Sequence, residues 1–253
     1  MDSTVLAALV GAVVAGLGSL LVPMVISRVP VIEPAHADAA KAGSEGDATI
    51  DVAREPQPPP EEFADIARLP GLAWKSAIAG AVSGAVLGGA LGWSWAWLMW
   101  VPMVPVYVAL AVIDWRTRLL PTYLIRPSYA VLGALAVVGA LVARDSHDVV
   151  MAALGWLVGG GTYAVLWFIY PRGLGFGDVR LAGVLGIGLG WLGWGPLLVG
   201  LYAGFLLGGV IGALLAIAKL VDRKGVPFGP FMLLGALTGV VWGEPLWSRL
   251  VGG

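Results

Sequence analysis

The chain has no cysteine, only two histidines and few charges, and each shortage removes a class of function. Without cysteine there are no disulfides, no thiol nucleophile and no Cys-ligated zinc. His36 and His147 both fall in polar segments between apolar runs, so a histidine-based triad or metal site has little to build on. Charged residues make up 12% of the 253 positions and hydrophobic ones 58%, far outside the range of soluble domains. The near-neutral net charge of −1 gives no electrostatic footprint for nucleic acid.

Long apolar runs are plentiful instead. They recur at about the 20-residue length that spans a bilayer, at residues 5–26, 74–93, 95–113, 123–143, 149–170, 179–194, 196–218 and 231–247. An all-α, polytopic membrane protein with about eight transmembrane helices is expected. The first run competes with a signal peptide, and Ala35-His36-Ala37 resembles a cleavage site. No Lys or Arg precedes the run, however, while Asp2 does and Arg28 follows, an order that suits a retained anchor.

The organisation reads as residues 1–27, a first transmembrane helix, then residues 28–73, a cytoplasmic, largely disordered acidic loop, then residues 74–253, a seven-helix membrane core. Residues 28–72 hold nine acids against four bases around Pro56-Gln57-Pro58-Pro59-Pro60, too little apolar surface to offset ordering. Residues 61–68 read as one short surface helix within it. Gly80, Gly84, Gly88 and Gly92 recur every four residues and predict a close-packing face, as do Gly204, Gly208 and Gly212. Trp93, Trp95, Trp97 and Trp100 read as an interfacial belt, and Pro102 with Pro105 predicts a kink.

With the N-terminus outside, thirteen of the fifteen Lys and Arg residues fall on the cytoplasmic side, and only Arg144 and Arg249 fall outside. The positive-inside rule favours that orientation. It brings Asp114, at the end of the third run, to the same face as Asp178, at the start of the sixth. His147 belongs to the opposite face.

Asp178 ends the glycine-rich stretch Gly173-Leu174-Gly175-Phe176-Gly177-Asp178. A lone Asp there reads most simply as a helix cap. A second carboxylate at a matching position changes that, because two close carboxylates share a proton and divide into an acid and a base. Such a pair can activate water on a peptide carbonyl without any covalent nucleophile. The helix dipoles should favour the charged form of Asp178, at an N-terminus, over that of Asp114, at a C-terminus. A small transporter using the two acids for protons or ions is the alternative of another class. It would call for acids near mid-membrane and repeated halves, and neither is seen.

Asp114 with Leu120-Pro121, and Gly175-Phe176-Gly177-Asp178-Val179-Arg180-Leu181, resemble the motifs of the prepilin peptidases, or type IV leader peptidases. Gly18-Ser19, Arg28-Val29-Pro30 and Val226-Pro227-Phe228-Gly229-Pro230-Phe231 resemble further family stretches. The resemblance implies an aspartic endopeptidase of the bacterial inner (plasma) membrane, acting at the cytoplasmic face. Its partners would be prepilin or pseudopilin precursors of type IV pilus and type II secretion systems, within the lipid bilayer. Asp114 and Asp178 match the catalytic pair. Gly175, Gly177, Arg180, Pro227, Phe228, Gly229 and Pro230 match loop-shaping or substrate-binding positions. A related Gly-x-Gly-Asp intramembrane protease with other substrates is the nearest enzymatic alternative. Family members with paired Cys-x-x-Cys motifs also methylate the new terminus. Here no cysteine stands in the corresponding loop and Arg180 replaces a frequent lysine. No metal and no cofactor is required, and S-adenosylmethionine enters only if methyl transfer survives without that motif. Oligomeric state is left open.

Overall fold

A computed structural model of the chain describes residues 2–30, 63–170, 174–218 and 227–251. Among these residues all regular structure is helical. The helices are α1 (Ser3–Ser19), α2 (Val22–Ser27), α3 (Phe63–Ala67), α4 (Leu72–Leu91), α5 (Trp95–Trp100), α6 (Val104–Thr117), α7 (Thr122–Ala143), α8 (His147–Ile169), α9 (Phe176–Trp191), α10 (Trp194–Ile217) and α11 (Gly229–Val251). Four segments are long and apolar enough to cross a membrane, at Trp95–Thr117, Thr122–Ala143, His147–Ile169 and Trp194–Ile211. The chain is an all-α multi-pass membrane protein.

The break between α5 and α6 follows from sequence. Pro102 lacks the N–H that a continuing helix needs, and Val101–Met103 tightens into a 3₁₀ turn before Pro105 opens α6. The bulk of the acidic loop, residues 31–62, lies outside the described residues, as does His36. Its short helix is seen as α3, but it does not lie free on the surface. Ile66 is fully buried, and α3 packs against α2 and α6.

Helix α9 is the axis of the bundle. Asp178, Val179 and every residue from Leu181 to Gly190 are buried. A helix apolar on all sides can be satisfied only by neighbours on all sides. Five of its residues are glycine: Gly186 and Gly190 admit a neighbouring backbone, while Gly177, Gly183 and Gly188 make room for the side chains of Leu120, Tyr129 and Trp100. A Cβ at Gly186 would strike the Gly155 carbonyl of α8, and one at Gly190 would strike Met151 O. The pairs α1–α4 and α10–α11 use the same device, at Gly84 against Gly11 and at Gly235 against Gly204. Small residues of this kind allow close van der Waals packing where lipid gives no hydrophobic drive between helices.

Gly80, Gly84 and Gly88 form the expected packing face, meeting Ser19, Gly11 and Ala7 of α1. Gly92 does not belong to it. It caps α4 with φ +56 and has no neighbour within 4 Å, so it ends the helix by reaching a conformation that costs other residues. The tryptophans also differ from the expected belt. The indole N–H of Trp95 donates to Leu135 O at 2.8 Å, that of Trp97 to Ala7 O at 3.3 Å, and that of Trp100 to Gly188 O at 3.3 Å. Three of the four brace α5 to α7, α1 and α9, because a buried indole N–H needs an acceptor that the bundle must supply. Trp93 is the exposed one.

Candidate active site

One end of the bundle collects the C-terminal turn of α6 and the N-termini of α7, α9 and α11. Asp114 stands one turn before the end of α6, where Arg118 closes the helix with φ 56 and donates its N–H to Asp114 O at 2.8 Å. Its side chain is 3% exposed. The carboxylate Oδ2 accepts the backbone N–H of Gly229 at 2.8 Å, across 115 positions of sequence. A Cβ on residue 229 would lie 2.8 Å from that same oxygen, so only glycine lets the backbone approach.

Asp178 is the third residue of α9, behind an N-cap at Gly175. Its Oδ2 accepts the Gly175 N–H at 2.9 Å, the reach-back that a carboxylate at this helix position commonly makes. The capping reading is therefore correct as geometry, and it consumes one oxygen only. For both aspartates the other oxygen, Oδ1, has no hydrogen-bond partner among the described residues. Both buried carboxylates stand at this one end of the bundle.

This geometry corrects the expected split by helix dipoles. Asp114 does sit at the C-terminal end of its own helix, but it is held by the first N–H of α11. Both carboxylates are thus served by a helix N-terminus, and dipoles alone no longer rank them.

The remaining motif residues frame the pair. Gly177 packs against Leu120, whose Cβ would be 2.8 Å from a Cβ there. The Arg180 guanidinium donates to the Thr122 hydroxyl and lies 4.7 Å from the Phe176 ring centre, while Arg180 O accepts the Tyr129 hydroxyl at 2.7 Å. The segment after Asp114 and the segment around Asp178 are thereby clasped together. Pro227 is buried and Pro230 lies in the first turn of α11. Pro230 also lines an apolar groove of about 470 Å³ with Trp115 from α6 and Leu87 from α4. Phe228 packs in an aromatic cluster with Tyr163 of α8 and Phe205 of α10, with ring centres 6.0 and 5.5 Å away.

Three contributors escape sequence reasoning. Thr122 and Leu120 follow Asp114 closely, and Leu120-Pro121 belongs to the motif, yet nothing local says they reach the Asp178 loop. Tyr163 carries no motif at all. His147 is where it was expected, at the far end of α8. It is 16 residues from Tyr163, about 24 Å at 1.5 Å per residue, and pairs with Asp148 at 3.1 Å.

Residues 102–217 match the type IV leader peptidase family, a span that contains both aspartates. Among individual relatives, the prepilin leader peptidase/N-methyltransferase of Aeromonas hydrophila is 29% identical over 165 residues, covering 60% of this chain and 52% of that protein. The prepilin leader peptidase/N-methyltransferase of Escherichia coli (strain K12) is 34% identical over 142 residues, covering 51% of this chain and 56% of the relative. The leader peptidase HopD of Escherichia coli is 38% identical over 109 residues, covering 40% and 64%. The chain spans about half the length of the first of these. No solved structure gives a significant match.

Proposed function

This chain belongs to the type IV leader peptidase family, and we propose that it is a membrane aspartic endopeptidase that removes the leader of prepilin-like precursors through Asp114 and Asp178. The observation that carries this reading is the symmetry of the two carboxylates. Each is buried, each has Oδ2 tied by a backbone N–H at the same end of the bundle, and each has an Oδ1 without a hydrogen-bond partner among the described residues.

Two such groups ionise together only at high cost, so they hold one proton between them. The ionised member takes a proton from water as the water oxygen attacks the peptide carbonyl carbon. The protonated member gives its proton to the leaving nitrogen as the C–N bond breaks. No covalent intermediate is needed. The apolar groove beside Trp115 and Pro230 offers a surface along which an apolar segment of the substrate can lie. The glycines, Arg180 and the Pro227–Pro230 stretch act on loop geometry around that surface. Methyl transfer forms no part of the proposal, because the Cys-x-x-Cys motifs that the resemblance ties to it have no counterpart here.

Co-expression with a prepilin-like protein, followed by mass analysis, tests the reaction. Asp114→Asn and Asp178→Asn should each abolish cleavage while the protein still accumulates in the membrane. Processing near the wild-type rate by either variant would rule the pair out. The site is assigned to the cytoplasmic face of the inner membrane, on the basis of thirteen of fifteen basic residues falling there. A reporter fused at residue 146 should therefore read as external, and a cytoplasmic reading there would reverse the orientation.

A further inference from the structure

Tyr163 is 1% exposed, yet its hydroxyl makes no hydrogen bond among the described residues. The fully enclosed unpaired side-chain atoms among the described residues are Ser19 Oγ and Ser76 Oγ, so the phenol oxygen is unpaired but not sealed in, and a ligand group can reach it. The ring itself is well accounted for. It stacks on Phe205 at 4.8 Å and 30°, and tilts against Phe228 at 6.0 Å. Both neighbours are phenylalanine, so the packing requires an aromatic ring and not a hydroxyl.

The position of that hydroxyl is specific. Beside it lies the bare backbone of Gly204, where an added Cβ would be 3.7 Å from the phenol oxygen, so the polar tip has room. Phe228, against which the ring rests, directly precedes Gly229, whose N–H holds Asp114. Tyr163 thus rests against the residue next to the N–H that holds Asp114, and bonds to neither carboxylate.

Peptide cleavage by two carboxylates leaves one demand unmet. As water attacks, the carbonyl π pair moves onto oxygen, and the charge growing there needs a donor outside the proton-sharing pair. The nearby Arg180 guanidinium is already engaged with Thr122 and with the Phe176 ring.

We propose that Tyr163 is a third chemical group of the site, its phenol O–H donating a hydrogen bond to the carbonyl oxygen of the scissile peptide as that carbon becomes tetrahedral. The inference rests on the peptide cleavage proposed above. The phenol keeps its proton throughout: the water proton goes to one aspartate, the shared proton goes to the leaving nitrogen, and the carbonyl re-forms as the C–N bond breaks. The clamp of Phe205 and Phe228 fixes the ring so that the donor is aimed before substrate arrives.

The full-length wild type, Y163F and D178N are compared on a prepilin-like substrate, with kcat and KM measured separately. Y163F should accumulate and resist heat like the wild type, keep its KM, and lose kcat on the order of a hundredfold, as removal of a single such donor does elsewhere. Fluorotyrosine at position 163, a stronger donor of nearly the same shape, should restore cleavage where Phe does not. Cleavage by Y163F at the wild-type kcat would overturn the inference while leaving the aspartates in place. So would failure of Y163F to accumulate, which would make the hydroxyl structural. If the wild type itself cleaves nothing, the proposed peptidase and this inference fall together.

Discussion

The helix seams and the aspartate end of the bundle use glycine for opposite purposes. Along the α8–α9 seam, Gly155, Gly159, Gly186 and Gly190 let two backbones touch, and the result is a dry contact that any added carbon would force apart. At the aspartate end, Gly229 and Gly175 offer their N–H groups to carboxylates, and Gly177 lets a neighbouring loop close in. The first arrangement supplies rigidity and the second supplies polar groups with open valences. The hydrolysis proposed above would need both, because open polar groups inside a membrane are expensive unless a rigid frame holds them still.

The contrast breaks most visibly at the seam. Gly155→Leu places a branched side chain where a single Cβ already collides with Gly186 O and sits 2.7 Å from Gly190 Cα. Neither obstacle is a flexible side chain, so the helices must separate. The expected outcome is near-complete loss of the protein from the membrane, read by immunoblot against the wild type. Normal accumulation would show that α8 and α9 are not zipped as described.

Much of the scaffold was legible because membrane helices announce themselves by length and apolarity. The helical segments fall where the apolar runs lie, and Pro102 breaks the third run as its chemistry requires. The placement of both aspartates at helix ends was legible from the apolar runs and the motif residues beside them, while their pairing as a catalytic dyad stays with the proposal. What escaped was contact at long range. Gly229 and Asp114 are 115 positions apart, and no periodicity encodes their bond. The tryptophans turned inward because acceptors at Ala7, Leu135 and Gly188 happened to be in reach, a property of the assembled bundle. Gly155 and Gly159, like Gly186 and Gly190, also repeat at four residues, but a two-glycine repeat is a fainter signal than the longer run in α4.

At the aspartate end the same kind of substitution should act on rate and spare the fold. Gly229→Ala brings a Cβ to 2.8 Å from Asp114 Oδ2 and 3.2 Å from its carboxyl carbon. That carboxylate must shift by a few tenths of an ångström or more, lengthening the bond that positions it. Misplacement of a reacting group on this scale can cost up to about a hundredfold in rate. A fall in kcat of between about ten- and a hundredfold, with accumulation equal to wild type, is expected in the cleavage assay. Loss of the protein instead would mean that Gly229 belongs with the seam glycines and not with the site.

The smallest effect comes from a glycine that serves neither purpose. Gly133 and Gly139 both lie in α7, yet a Cβ at 139 would be within 2.7 Å of Trp95 and Trp191, whereas one at 133 meets nothing within 4 Å. Glycine inside a helix costs up to about 1 kcal/mol relative to alanine through backbone entropy, and only a close contact gives a reason to keep it. Gly139→Ala should therefore push the Trp95 indole off the Leu135 carbonyl and lower the thermal midpoint in detergent. Gly133→Ala has no clash to set against the entropy it saves, so its midpoint should equal or exceed that of the wild type, with cleavage unaltered. A drop for Gly133→Ala comparable to that for Gly139→Ala would mean that position 133 is covered by a neighbour, and the outer face of α7 would then have to be an interface with another helix.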